Sequence, residues 1–155
     1  MRVKIQTEDF DLSREIATLR QGHPEVGAIV SFVGVVRDFN DGDHVNQLCL
    51  EHYPGMTEKS IESIMTSAHE RWQLVDCLVI HRVGLLMPLD QIVLVVVMSA
   101  HRGDAFAGCE FIMDYLKTQA PFWKKEKTPQ GAHWVEAKQS DDEAAQRWSQ
   151  SVPRL

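Results

Sequence analysis

Apolar residues recur along this chain at two spacings, and the switches between them mark out its elements. Nearly unbroken apolar runs at Val26–Val36 and Ile92–Met98 have the pattern of buried strands. Arg2–Ile5 and Val75–Val83 read as further strands. Alternation across Val45–Tyr53 predicts a strand pairing back on Val26–Val36 as a hairpin through the Asp41-Gly42 turn. Between the strands the period lengthens to that of a helix. Leu12, Ile16 and Leu19 share one face over Asp11–Arg20. Ile61, Ile64, Met65 and Ala68 form a stripe on a second helix, with Thr57 as its N-cap. Ala105, Phe106, Cys109, Ile112 and Met113 mark a third, starting near His101 and Arg102 and ending near Lys117. Pro121 disfavours helix at Ala120 and turns the chain into a strand that begins at Phe122 and Trp123. A hairpin through Pro129-Gln130-Gly131 and a last helix over Asp141–Trp148 complete the order, and Gly84–Pro88 reads as a plain connection. Hairpins interspersed with helices predict an α+β fold with a mainly antiparallel sheet.

Composition narrows the class. With 155 residues, 44% hydrophobic and 25% charged, the chain has the size and balance of one soluble domain over residues 1–155, its last few residues loose. The N-terminus has no apolar signal region, and the longest apolar run is too short to cross a bilayer, so a cytoplasmic protein is expected. Cys49, Cys77 and Cys109 are odd in number and widely spaced. With no Cys-x-x-Cys and no histidine at zinc-ligand spacing, they read as small buried hydrophobes, and no metal site is expected. Gly-x-Gly-x-x-Gly, Gly-x-x-x-x-Gly-Lys-[Ser/Thr] and Gly-x-Ser-x-Gly are all missing, which argues against dinucleotide, P-loop and serine-hydrolase chemistry. Glu51 with His52, and His81 with Arg82, fall inside strands and read as sheet-surface or core-edge residues.

Charge changes the picture most. The net charge is -6, yet Lys117, Lys124, Lys125 and Lys127 crowd around Phe122 and Trp123. Lys117 and Lys124 lie seven residues apart on two elements joined by the proline turn, so they can converge on one point. His101 and Arg102 sit where a strand hands over to a helix, whose free N–H groups favour anions. Arg37 ends another strand. Each has an ordinary explanation: a lysine at a helix C-terminus answers the helix dipole, and Arg37 and Arg102 have Asp38 and Asp104 beside them. Three basic groups at element ends nevertheless point to a pocket for a small anionic ligand. Arginine suits bidentate recognition of phosphate, and lysine a point charge or proton transfer.

Several blocks then carry a resemblance. Gly27-Ala28-Ile29-Val30-Ser31-Phe32-Val33-Gly34-Val35-Val36-Arg37, Leu50-Glu51-His52-Tyr53-Pro54-Gly55-Met56, His81-Arg82-Val83-Gly84, Ser99-Ala100-His101-Arg102 and Phe111 through Glu126 occur in order. Together, from about Gly27 to about Trp148, they closely resemble the large, catalytic subunit of molybdopterin synthase. The resemblance implies an α/β hammerhead with an additional small antiparallel β subdomain. It implies a sulfurtransferase that converts cyclic pyranopterin monophosphate into molybdopterin by building a dithiolene, in molybdenum cofactor biosynthesis, with no cofactor. The sulfur donor would be the C-terminal thiocarboxylate of a small ubiquitin-like partner ending in Gly-Gly, and two large subunits would form a homodimer within a heterotetramer. Position by position, it makes Lys117 and Lys124 catalytic. Arg37, His101 and Arg102 become substrate anchors, Val35, Val36, Lys125 and Glu126 line the pocket, and Lys138 corresponds to a basic group offered by the other protomer. Trp134 and Trp148 are candidate interface aromatics. One departure stands out: relatives often carry glycine where this chain has Leu89, before Asp90, which puts that turn in doubt. Two other functions compete: a non-catalytic binding module for a phosphorylated metabolite, and a single-strand nucleic-acid binder stacking bases on Phe122 and Trp123. The net charge of -6 weighs against the second.

Overall fold

A computed structural model describes residues 1–40, 43–44, 46–135 and 139–149. In chain order the elements are β1 (Arg2–Gln6), α1 (Leu12–Arg20), β2 (Ala28–Val35), β3 (Phe39–Asn40), β4 (Asp43–His44), β5 (Gln47–His52), α2 (Met56–Arg71), β6 (Leu74–Arg82), β7 (Gly84–Leu86), β8 (Gln91–Ser99), α3 (Arg102–Gln119), β9 (Phe122–Thr128), β10 (Gly131–Val135) and α4 (Gln139–Gln146). Two four-stranded sheets result, ordered β1-β6-β8-β2 and β10-β9-β5-β7, with β3 and β4 forming a separate small pair. Every pairing is antiparallel except β1 with β6. This is the expected α+β, mainly antiparallel fold with its additional small antiparallel sheet.

The first sheet is sandwiched, which explains its unbroken apolar runs. On β6 and β8, Cys77, Val79, Val93, Val95 and Val97 face one way and pack with Ile61, Ile64, Met65, Ala68 and Ile112 from α2 and α3. Leu78, Ile80, Leu94, Val96 and Met98 face the other way, against Phe10 and Leu19. Strands buried on both faces lose the alternation that marks a half-exposed strand. Trp148 closes the first core edge-on against Trp72, its ring centroid 5.4 Å away, and donates from Nε1 to Asp114 at 2.7 Å. It therefore serves the core, while Trp134 stays exposed.

Three local expectations are corrected. The strand predicted at Val45–Tyr53 does not pair back on β2. As β5 it joins the second sheet between β9 and β7, and β2 pairs with β8. Long-range pairing decided this, since Leu48 and Leu50 bury against Leu86 and Val36 in a core of their own. Gly84–Leu86, read as a connection, is strand β7. The N-cap of α2 is Gly55, at φ 83°, whose N–H is bonded by the Glu58 carboxylate. Thr57 is fully buried: its hydroxyl accepts from the Tyr53 N–H at 2.9 Å and donates to the Pro121 carbonyl at 3.0 Å. That bond ties the start of α2 to the proline turn between α3 and β9. Leu89 occupies the doubtful turn at φ 75°, the only non-glycine residue described with positive φ.

Candidate functional site

Where α3 gives way to β9, helix and sheets enclose a cavity of about 520 Å³. Its walls come from β2, α3, β9 and the end of β6. Lys117 reaches it from the last turn of α3 and Lys124 from β9. Arg37 reaches it from the segment after β2, beside Val35 and Val36. The proline turn does what the spacing suggested. α3 ends at Gln119, Ala120 is extended, and Pro121, held by Thr57, sends β9 back past the helix end.

Alternation along β9 sorts its charges. Phe122, Lys124 and Glu126 line the cavity, while Trp123, Lys125 and Lys127 are exposed on the other face. Lys125 lies over the Trp134 ring, 5.6 Å from its centroid, so it does not line the cavity with Glu126 as expected. Neither Arg37 nor Lys117 forms an ion pair among the described residues, and Arg37 in particular is not held by Asp38.

His101 and Arg102 do not reach this cavity. His101 caps the N-terminus of α3, and the helix carries 18 residues from Arg102 to Gln119. At 1.5 Å per residue that is about 25 Å from the lysine end. Arg102 is exposed and makes no ion pair with Asp104, which instead accepts from the Gln73 N–H at 3.2 Å. Lys138 lies outside the described residues.

One lining residue was passed over. His81 is 8% exposed, and it stacks on Phe122 with centroids 3.8 Å apart and planes at 18°. Its Nδ1 bonds the Arg82 carbonyl at 2.8 Å. Burial pushes its pKa down to about 4, and Lys124, Lys117 and His52 push the same way, against the Arg82 bond. The signal was in the pattern: two-residue steps from Cys77 through Val79 lead to His81, placing an imidazole on the buried face of β6. The cysteines, by contrast, are as expected where burial decides. Cys77 and Cys109 are buried, and desolvation drives both thiols up to about 12, so neither is a nucleophile. Cys49 is half-buried. Among the described residues no cluster of metal-ligating side chains forms, and no helix is long and apolar enough to cross a membrane.

The site can thus hold an anion with one arginine and two lysines from three segments, with an aromatic pair forming part of its wall. Comparison with known proteins gives this arrangement a context. The model of the MoaE protein family matches residues 5–119. A molybdopterin synthase catalytic subunit from Ralstonia nicotianae is 62% identical over 146 residues, covering 94% of this chain and 83% of that protein. The protein of the same name from Escherichia coli is 52% identical over 147 residues, covering 95% of this chain and 97% of that one. Among solved structures, a molybdopterin biosynthesis MoaE protein from Burkholderia ambifaria superposes with a TM-score of 0.83 at 55% identity, covering 97% of this chain and 99% of that one. Molybdopterin synthase from Staphylococcus aureus gives 0.79 at 31% identity, covering 86% and 96%.

Proposed function

Because the chain belongs to the MoaE family, the catalytic subunits of molybdopterin synthase, we propose that its cavity is where cyclic pyranopterin monophosphate receives sulfur and becomes molybdopterin. The observation that supports this most is the convergence of Arg37, Lys117 and Lys124 from three separate segments on one enclosed space. The reaction brings together two anions, a substrate phosphate and the thiocarboxylate at the Gly-Gly tail of a small ubiquitin-like partner. Arg37 holds the phosphate, and a charge-assisted hydrogen bond of this kind contributes about 1.5–3 kcal/mol. Lys117 and Lys124 offset the repulsion between the anions. Once the carrier's sulfur has bonded to the pterin as a thioester, they also stabilise the oxyanion formed when water adds to the acyl carbon. That carbon then expels the sulfur as a pterin thiolate and leaves the carrier as a carboxylate. Val35, Val36 and Glu126 shape the wall. These cations supply the charge stabilisation, so the reaction is proposed to run without a resident cofactor or metal; the protein is proposed to act in the cytoplasm.

His101 and Arg102 enter through assembly. The length of α3 keeps them from the cavity of their own chain, so as substrate anchors they serve the cavity of a second copy, in a homodimer that binds one small partner per protomer. Lys138 is assigned the same way. The whole unit, residues 1–155, acts as one domain.

Calorimetry with cyclic pyranopterin monophosphate tests the anchor. Arg37→Ala should weaken binding about 10- to 100-fold, the loss of one charge-assisted contact, and leave carrier binding unchanged. Unchanged substrate affinity would remove Arg37 from the site. A binding module without catalysis would show the same losses but form no product.

A further inference from the structure

Resting on the sulfur-transfer reading above, we propose that His81 is a specificity-determining residue of the cavity, whose Nε2 accepts a hydrogen bond from an N–H group of the substrate's heterocycle. The geometry fixes the ring twice. The Arg82 carbonyl can only accept, so Nδ1 carries the hydrogen in their 2.8 Å bond and Nε2 keeps its lone pair. Stacking on Phe122 then holds the ring plane. Every buried side-chain nitrogen and oxygen described has a partner. Nε2 has none, so it is open to solvent, and the little surface that His81 exposes lines the cavity.

The chemistry around it gives that lone pair a use. Arg37, Lys117 and Lys124 only donate hydrogen bonds. A site made for phosphate alone would gain from a fourth cation, yet this histidine stays neutral at physiological pH. Lys117 on α3, Lys124 on β9 and His52 on β5 all disfavour the charged ring, and Arg82, next on β6, meets it only through its carbonyl; the carboxylates of Glu126 on β9 and Asp141 on α4 line the same cavity but do not act on the ring. A neutral acceptor among cations matches a ligand with an anion at one end and N–H donors at the other. A pterin phosphate has both, and an inorganic or sugar phosphate lacks the ring N–H. The carboxylate of Glu126 is less suited, being buried and already engaged.

The test is nitrogen NMR on the full chain with 15N-labelled histidine, titrated with cyclic pyranopterin monophosphate and separately with inorganic phosphate, alongside calorimetry on variants. The His81 Nε2 resonance should move with the pterin and not with phosphate. His81→Phe keeps the stacking and removes the acceptor. It should lose pterin affinity about 5- to 100-fold, the range for leaving a donor unsatisfied, with phosphate affinity unchanged. His81→Gln, which can place Oε1 near the Nε2 position, should recover part of the loss. If the wild type binds pterin but Nε2 does not move, or if His81→Phe and His81→Gln both bind as the wild type does, His81 is a core residue and the sulfur-transfer reading still stands. If the wild type does not bind the pterin at all, that reading falls and this assignment with it. Should His81→Phe not fold, the NMR titration of the wild type and the glutamine variant decide alone.

Discussion

Lys117 and Lys127 differ in what surrounds them, and that difference predicts their roles. Lys117 lines the cavity from the last turn of α3, whereas Lys127 lies exposed on the outer face of β9. Lys117→Ala should lower turnover by about 10²–10⁴, the scale for losing a positioned charge or proton-transfer group. Stability should fall only by the helix-dipole contribution, about 0.3–1 kcal/mol. Lys117→Arg should rescue poorly, because a planar guanidinium does not replace an ammonium or release a proton. Lys127→Ala should be nearly silent. Steady-state kinetics on the three variants checks this, and equal losses at Lys117 and Lys127 would mean a diffuse field rather than a placed group. His81 makes a prediction about pH. Its folded-state pKa of about 4 lies below the ordinary 6.5, so between these values the unfolded chain binds a proton that the folded chain refuses. Stability therefore rises with pH across that window and is lost as pH falls through it. The contribution is about 3 kcal/mol, at 1.36 kcal/mol per pH unit of pKa difference. Urea unfolding at pH 4 and 7 should show a smaller difference for His81→Phe than for the wild type. An equal difference would remove His81 as the cause.

At the level of elements, local pattern was legible and long-range pairing was not. The helices α1, α2 and α3 follow their apolar stripes, because a stripe at 3.6-residue spacing constrains which face must be buried. β5 followed its alternation but not its expected partner. Alternation states which side chains are buried and is silent on the neighbouring strand, and a hairpin turn between β2 and β5 was only the shortest option. β7 was missed since three residues carry no period. Thr57 looked like an N-cap by type, yet Gly55 takes that place and frees the hydroxyl to hold Pro121. The Met87–Asp90 turn shows a local misfit that can be measured. Asp90 N donates to the Met87 carbonyl at 3.0 Å, and Met87 N donates to the Asp90 carboxylate at 2.8 Å. Pro88 followed by a residue at positive φ fits a type II turn, a position glycine occupies without cost. Leu89 is 85% exposed, so removing its side chain loses little burial. Leu89→Gly should raise stability by about 0.5–1 kcal/mol, the left-handed penalty less glycine's added chain entropy. A lower denaturant midpoint for the variant would contradict the strain.

On the scale of the whole molecule, the site exists because two sheets and one long helix meet at one end. The cations were visible in the sequence as residues at element ends, and so was the meeting of Lys117 with Lys124, but not which of the other cations would join them. Spacing brought Lys117 and Lys124 together through a local turn, and Arg37 joined them only because β2 lies along β8 beneath α3. The same helix that presents Lys117 carries His101 and Arg102 away to its other end, a separation that only a helix length reveals. The two-residue steps along β6 put His81 on its buried face, but which cavity that face lines follows from the pairing of β6 with β8, which no local pattern states. The central claim is that these groups together perform sulfur transfer. The most direct measurement is a single-turnover reaction of the pure chain with cyclic pyranopterin monophosphate and the thiocarboxylated small partner, followed by mass spectrometry of the pterin. The account predicts a dithiolene product carrying two sulfurs, with carrier returned as carboxylate, and almost none from Lys117→Ala under the same conditions. A wild-type chain that binds both components and leaves the pterin free of sulfur would contradict it, as would a Lys117→Ala chain that forms the product at the wild-type rate.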